Sequence, residues 1–184
     1  MKLKQFQLYL KQKKIDTVFL IYSEESADIN LTYFTQMKPS YGLLAISPKS
    51  AKFFITKLDY KPHIQNMTTF FLSKNWQKKI QSKYIKKVGI NKESLTINQY
   101  DSVKKIFPKC KFVDVSKKLK ELRLVKTKNE LNFIKKACKV TSDSFNALLK
   151  ELPKKKLKTE QDVAFFLEKY FRNNNCEVGF PTIA

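Results

Sequence analysis

The chain has 184 residues, of which 42% are hydrophobic and 13% aromatic, so it can form the core of one ordinary domain and part of a second. Its 37 lysines and arginines against 16 acids give a net charge of +21, but only Arg123 and Arg172 are arginines. Because sites that read nucleic-acid bases favour the bidentate fork of arginine, this composition indicates solvated lysine surfaces and does not favour a nucleic-acid partner.

Helices and strands alternate through the first part of the chain. Residues 3–10 have apolar side chains at helical spacing, and residues 16–22 form a short apolar run of strand length. Two β-rich runs surround the turn-forming residues 47–50, which predicts a hairpin, and a further strand is predicted at 67–72.

The alternation continues up to residue 115. Helices are predicted at 75–85 and 97–107, and strands at 86–90 and 110–115. This order of elements predicts the α/β class, with a mixed sheet flanked by helices.

Two well-marked helices follow a domain boundary that we predict near residues 115–125. Thr127 and Glu130 have the spacing of a capping box, and Thr159 with Glu160 and Asp162 opens a second helix that residues 173–175 end. The predicted inner face of the first helix comprises Leu131, Ile134, Cys138, Thr141, Phe145 and Leu148. The predicted inner face of the second comprises Val163, Phe166, Leu167, Tyr170 and Phe171.

Several classes of functional site are excluded by the residues present. The three glycines, Gly42, Gly89 and Gly179, cannot form a GxGxxG or phosphate-binding loop. His63 is the single histidine, and nothing near it resembles the nucleophile of a catalytic triad. The acids are scattered, and the cysteines at 110, 138 and 176 are too far apart for a metal knuckle or a disulfide framework. The residues alone therefore predict no catalytic, cofactor-binding or metal-binding residue.

Membrane insertion is not predicted either. No stretch approaches the roughly 20 consecutive apolar residues of a membrane span, and residues 1–14 interleave apolar side chains with lysines, unlike a signal peptide. We therefore expect a cytoplasmic protein with no membrane partner.

Residues 119–137 resemble the opening of the catalytic domain in the Xaa-Pro aminopeptidase and prolidase family, with the pattern L-x-x-L-R-x-x-K-[ST]-x-x-E-[IL]-x-x-[IL]-x-x-A. The matching residues are Leu119, Leu122, Arg123, Lys126, Thr127, Glu130, Leu131, Ile134 and Ala137. The next helix and strand of the family, T-E-x-[ED]-[LV]-A and G-x-x-x-x-[SG]-F-x-T-[IV], are matched by Thr159, Glu160, Val163, Ala164, Gly179, Phe180, Thr182 and Ile183.

The earlier part of the chain is compatible with the creatinase-like N-terminal domain of the same family. Residues 26–35 resemble its D-x-N-[IL]-x-Y-[LF]-T turn, and residues 86–91 resemble its K-[IV]-G-[IV] strand. The resemblance implies a creatinase-like N-terminal domain over 1–120. It also implies that residues 121–184 supply the first helices and strand of an α+β pita-bread peptidase domain, the strand lying at 178–184.

The resemblance implies hydrolysis of peptides with proline at the second position by two divalent metals, Mn, Co or Zn. The family's ligands, two Asp, one His and two Glu, follow the strand on which this chain ends, so none is assigned here. We therefore expect a truncated or split peptidase, inactive alone, that forms a homodimer or binds a complementing C-terminal chain. The alternative hypothesis is a non-catalytic pita-bread binding module for an acidic protein or a nucleic acid.

Overall fold

A computed structural model describes residues 2–73, 75–80, 84–154 and 156–183 of the chain. The chain forms two compact units, Met1–Leu124 and Val125–Ala184.

The first unit is a mixed sheet with helices on both faces, and the predicted α/β class is confirmed. Its helices are α1 (Lys2–Gln12), α2 (Ile29–Thr35), α3 (Ile97–Ile106) and α4 (Ser116–Leu124). Its strands are β1 (Thr17–Tyr22), β2 (Gly42–Ile46), β3 (Ala51–Ile55), β4 (Thr68–Phe71), β5 (Lys87–Ile90) and β6 (Lys111–Asp114).

The six strands lie in the order β4-β3-β2-β1-β5-β6. β2 is antiparallel to both of its neighbours, while β4 is parallel to β3, β5 to β1, and β6 to β5. All strands except β2 therefore point the same way, and the sheet has one edge of amino ends and one edge of carboxyl ends.

Both faces of the sheet are buried. On one face, Phe6 and Leu10 of α1 and Leu119 of α4 pack with Phe53 of β3. On the other, Val103 of α3 packs with Phe19, Phe54 and Val88. Close packing also fixes Gly89, where an added Cβ would lie 2.6 Å from Val18 Cγ2.

Three elements of this unit differ from the sequence expectation. The family-like turn at 26–35 contains helix α2, which Asp28 caps by accepting a hydrogen bond from Asn30 N. The helix expected over 75–85 is only a 3-10 turn at Trp76–Lys79 among the described residues, where Asn75 supplies no side-chain cap, and residues 81–83 lie outside them. Helix α4 was not predicted.

The second unit is a helical hairpin, in which α5 (Lys128–Glu151) leads through a 3-10 turn (Leu152–Lys154) to α6 (Glu160–Asn173). The capping boxes of Thr127 with Glu130 and of Thr159 with Asp162 are both formed, so the two predicted helix starts are confirmed. No helix in the described parts of the chain has the length and apolar character needed to cross a membrane.

Two expectations for this unit are corrected. Residues 178–183 form no strand, because a strand needs a neighbour for its backbone hydrogen bonds and the described residues of this unit contain none. The inner face predicted for α5 is largely exposed, since Leu131, Ile134 and Phe145 are 46%, 45% and 56% exposed. The buried residues of α5 are Val140, Ser144 and Leu148.

Candidate functional site

Polar side chains converge at the carboxyl ends of the parallel neighbours β1 and β5. Asp28 lies in the segment that follows β1, and Asn91 comes directly after β5. Carboxyl ends of parallel strands are where α/β sheets usually place functional groups. Asp28 is 1% exposed and Asn91 is 5% exposed, so the cluster is built into the domain interior.

Asp28 is the acceptor at the centre of this cluster. Its Oδ1 accepts hydrogen bonds from Asn30 N and Asn30 Nδ2, both at 2.8 Å. Its Oδ2 accepts from Asn91 Nδ2 at 2.9 Å and from Ser94 Oγ at 2.8 Å. These four donors solvate the buried carboxylate without a cation.

The cluster extends through neighbouring polar groups. Ser26 Oγ donates to the carbonyl of Ser94, and Asn91 Nδ2 also donates to Ser94 Oγ at 2.9 Å. Asn30 Oδ1 is buried and has no hydrogen-bond partner among the described residues. Because both oxygens of Asp28 are already engaged by protein donors, the arrangement suits positioning of the two loops better than proton transfer or metal binding.

Sequence reasoning found this cluster only in part. The D and N positions of the family-like turn at 26–35 are Asp28 and Asn30, whereas no motif position falls on Ser26, Asn91 or Ser94. In the sequence, a polar segment follows each of the apolar strands β1 and β5. That these two segments meet can be inferred only once β1 and β5 are known to be parallel neighbours.

The two metals that the resemblance implies do not fit the residues described. No group of three or more His, Cys, Asp or Glu side chains that could hold a metal ion occurs within residues 2–73, 75–80, 84–154 and 156–183. His63 is exposed, and Asp162 Oδ2 accepts hydrogen bonds from the backbone amides of Lys158 and Thr159. Those two bonds lower the pKa of Asp162, as expected for a helix cap.

The cysteines are also separate from one another. Cys110, Cys138 and Cys176 are all free thiols. Burial raises the pKa of Cys110, with a further contribution from Asp16, and its Sγ donates to the carbonyl of Ile85 at 3.1 Å. A thiol with a raised pKa is a poor nucleophile, so these features do not favour a reactive Cys110.

The second unit holds an apolar groove between its two helices and the segment that follows them. The groove has a volume of about 410 Å³. Its apolar lining includes Val140, Leu167, Phe171, Val178, Phe180 and Ile183. Phe180 and Ile183 are 72% and 89% exposed, which is unusual for large apolar side chains of a finished core.

Large apolar side chains outside the groove are also exposed on both helices. Phe133 on α5 is 74% exposed and Phe165 on α6 is 71% exposed. Because such a surface is costly to leave in water, this unit is suited to packing against further apolar structure.

A comparison with known families decides where the first unit belongs. The family model described as the Creatinase/Prolidase N-terminal domain matches residues 2–125. The chain belongs to this family. The predicted resemblance to Xaa-Pro aminopeptidases and prolidases is thereby confirmed.

Individual relatives extend the similarity through the second unit. The chain is 26% identical to the uncharacterized peptidase YqhT of Bacillus subtilis over 96% of this chain and 50% of YqhT. It is 25% identical to an Xaa-Pro dipeptidase of Pyrococcus furiosus over 99% of this chain and 51% of the dipeptidase. The chain thus spans about half the length of these curated relatives.

Solved structures share the fold. The prolidase from Pyrococcus horikoshii OT3 superposes with a TM-score of 0.78 at 24% identity. The superposition covers 94% of this chain and 48% of that prolidase. At this level of identity the similarity establishes architecture and leaves activity to be argued separately.

Proposed function

We propose that the protein is the N-terminal half of an Xaa-Pro peptidase, with a creatinase-like domain over residues 1–120 and the opening helices of the catalytic domain over 121–184. The observation that carries the proposal is the similarity to peptidases along nearly the whole chain, which extends past the family domain into α5 and α6. An isolated N-terminal domain would not need those helices.

The proposed substrates are peptides with proline at the second position, and the proposed cofactors are two divalent metals. These metals would supply an activated water and polarise the peptide carbonyl. Since the described residues lack a metal-binding group, their ligands must come from other residues, either elsewhere in the same protein or in a complementing chain. The residues described here would provide the scaffold, in the cytoplasm, where free cysteines are usual.

The apolar surface of the second unit supports the same assignment. Val140, Ser144 and Leu148 are the buried residues of α5, and the groove beside α6 remains open. A catalytic domain completed by further residues would cover that groove, whereas a finished binding module would be expected to bury it on its own. The open groove therefore does not favour the alternative of a finished binding module.

The test uses two proteins assayed on an Xaa-Pro dipeptide with added Mn²⁺ or Co²⁺. The 184-residue chain alone should give no turnover above the metal blank. A chimera that joins it to the second half of the Pyrococcus furiosus dipeptidase should cleave the dipeptide and lose activity with EDTA.

Each arm can contradict the proposal. Metal-dependent cleavage by the chain alone would show that its own residues hold the metals. A chimera that purifies as a folded, monodisperse protein but cleaves no Xaa-Pro bond would remove the assignment to this peptidase class. The second half of the dipeptidase expressed alone is the matched control.

A further inference from the structure

Charge is distributed unevenly between the two edges of the sheet in the first unit. Because every strand except β2 points the same way, the segments that precede β1, β3, β5 and β6 meet at the amino-end edge. The last turns of α1 and α3 carry Lys11, Lys104 and Lys105. Since each of these helices leads into a strand, β1 or β6, its last turn lies at the same edge. We call this edge, together with those helix ends, the amino edge.

The amino edge is rich in lysine. Its exposed lysines are Lys11, Lys13, Lys14, Lys49, Lys86, Lys104, Lys105, Lys109 and Lys111. Within the described parts of the chain none of them forms an ion pair. Lysines that serve only solubility would be expected to mix with acids. A group of nine exposed lysines without ion pairs therefore indicates a negatively charged partner.

Asp16 borders this edge, and its carboxylate forms no ion pair with a lysine among the described residues. Its Oδ2 accepts hydrogen bonds from the backbone amides of Lys86 and Lys87, each at 2.8 Å. Lys87 Nζ donates to the carbonyl of Lys13 at 2.8 Å, which is a neutral acceptor. Asp16 is a single negative charge beside nine exposed lysines, so the amino edge keeps a large positive excess.

The opposite edge of the sheet carries a mixture of acidic and basic residues. The acids Glu24, Glu25, Asp59, Glu93 and Asp114 lie after or at the carboxyl ends of β1, β3, β5 and β6. Exposed lysines also lie near this edge, but they are mixed with these acids, and Lys120 Nζ is 2.8 Å from Glu93 Oε1. The excess of positive charge is therefore larger at the amino edge than at the carboxyl-end edge.

We propose that the amino edge is a docking surface for nucleic acid, which it contacts through the phosphate backbone and not through the bases. Lysine is a point charge well suited to phosphate, whereas base reading favours arginine, and the exposed charges named at the amino edge are all lysines. The scarcity of arginine and the placement of the lysines therefore both favour contact with the phosphates, which does not depend on the base sequence.

The dimensions of the edge favour nucleic acid over an acidic peptide. Six strands at a spacing of about 4.8 Å give an edge of about 24 Å, along which duplex DNA presents roughly 14 phosphate charges. The lysines also extend over both faces of the sheet, because α1 and α3 pack on opposite faces. An extended peptide is a single row of charges and would reach only part of this surface.

The experiment measures binding of the 184-residue chain to a fluorescent duplex of about 20 bp between about 0.05 and 0.2 M salt. The plot of log K against log salt should be linear, with a slope of about −5 for roughly six phosphate contacts. Replacing edge lysines should reduce that slope by about 3 to 4, since each exposed lysine contributes about one contact. The edge variant combines Lys13→Gln, Lys49→Gln, Lys86→Gln and Lys109→Gln.

The matched control removes the same net charge from the carboxyl-end side, and its slope should change by less than about 1. It combines Lys38→Gln, Lys57→Gln, Lys92→Gln and Lys117→Gln, all exposed residues. Equal losses in the two variants would overturn the proposal, since net charge alone would then explain binding. Absence of binding by the unmodified chain at about 0.05 M salt, or tighter binding to polyglutamate than to the duplex, would overturn it as well.

Discussion

The two units differ in how their apolar side chains are covered. In the first unit, Phe53 and Phe54 project to opposite faces of β3, and both are 0% exposed. In the second unit, Phe133 and Phe165 are more than two thirds exposed although they lie on well-formed helices. Regular secondary structure is therefore present in both, but only the first unit has a closed core.

This difference in burial between the two units does not arise from the capping residues at which their helices begin. Thr96 at the start of α3, Thr127 at the start of α5 and Thr159 at the start of α6 all form complete capping boxes. What distinguishes α3 is the sheet beneath it, which buries Val103 and neighbouring residues. Helix stability in proteins comes mainly from such packing, so we expect the second unit to depend on further structure for most of its stability.

The largest predicted effect compares equivalent substitutions in the two units. Phe53→Ala should lower the free energy of unfolding of the first unit by about 3–5 kcal/mol, because it leaves a cavity in a closed core. Phe133→Ala should change the free energy of unfolding of the first unit by less than about 0.5 kcal/mol. Trp76, the single tryptophan, lies 5.7 Å from the Phe54 ring and reports unfolding of the first unit by fluorescence in urea.

A large change in the Trp76 unfolding midpoint caused by Phe133→Ala would contradict this comparison. It would mean that the Phe133 side chain contributes to the core whose unfolding Trp76 reports. The exposed Leu58, 89% exposed within the first unit, provides a second control. Leu58→Ala should leave the urea midpoint of Trp76 fluorescence unchanged.

The second prediction concerns the Asp28 cluster. Asp28→Asn keeps the shape of the side chain but replaces one acceptor oxygen with a donor group, which then faces donors such as Asn91 Nδ2 or Asn30 N. We expect a loss of about 2–3 kcal/mol in the unfolding free energy of the first unit. Asp101→Asn, on the exposed side of α3, should cost less than about 0.5 kcal/mol. Equal effects of the two substitutions would show that the cluster is not a structural centre.

The third prediction compares the same helix cap in both units. Thr96→Ala should lower the unfolding free energy of the first unit, measured by Trp76 fluorescence, by about 1 kcal/mol. The reason is that the backbone N–H of Gln99 loses its acceptor. Thr159→Ala should reduce the helical circular dichroism signal without moving the Trp76 midpoint, since α6 lies in the other unit. Coincident shifts in both signals for Thr159→Ala would indicate that the units unfold as one.

The sequence predicted elements well where local signals are strong. Strands β1, β2 and β3 are apolar runs bounded by turns, and α5 and α6 begin at capping boxes, so their positions follow from short-range chemistry. Helix α2 was missed because a seven-residue segment of mostly β-branched and aromatic residues has low helix propensity. It is held by the Asp28 cap and by Thr35 Oγ1, which donates to the carbonyl of Leu31 at 2.8 Å.

The candidate site and the burial of α5 could not be predicted in the same way. Asn91 and Asp28 are distant in the sequence and meet only because β5 pairs with β1. Periodicity identified an apolar stripe on α5, yet Phe145 on that stripe is exposed, whereas Val140 outside it is buried. Which side of a helix is buried depends on the surface it packs against, and that surface is not encoded in the helix itself.

The smallest predicted effect is a pH dependence that again separates the units. The hydroxyl of Ser40 donates a hydrogen bond to Asp59 Oδ2 at 2.6 Å, and this bond lowers the pKa of the carboxyl below its ordinary value of 3.8. Hydrogen bonds from the backbone amide of Ser40 and from the hydroxyl of Thr56 lower the pKa further. A carboxyl whose pKa is lower in the folded state stabilises that state above its unfolded pKa. This contribution is lost as the pH falls through the folded pKa.

The urea midpoint of Trp76 fluorescence should therefore fall as the pH drops below about 4, and Asp59→Asn should reduce that fall. Asp162→Asn removes a carboxyl whose pKa is also lowered, by the amides of Lys158 and Thr159, but it lies in the second unit. It should change the acid dependence of the helical signal and leave the Trp76 profile as it was. If Asp162→Asn altered the Trp76 profile as much as Asp59→Asn, the stability of the sheet would depend on the helical hairpin, and the contrast between a closed and an open unit would fail.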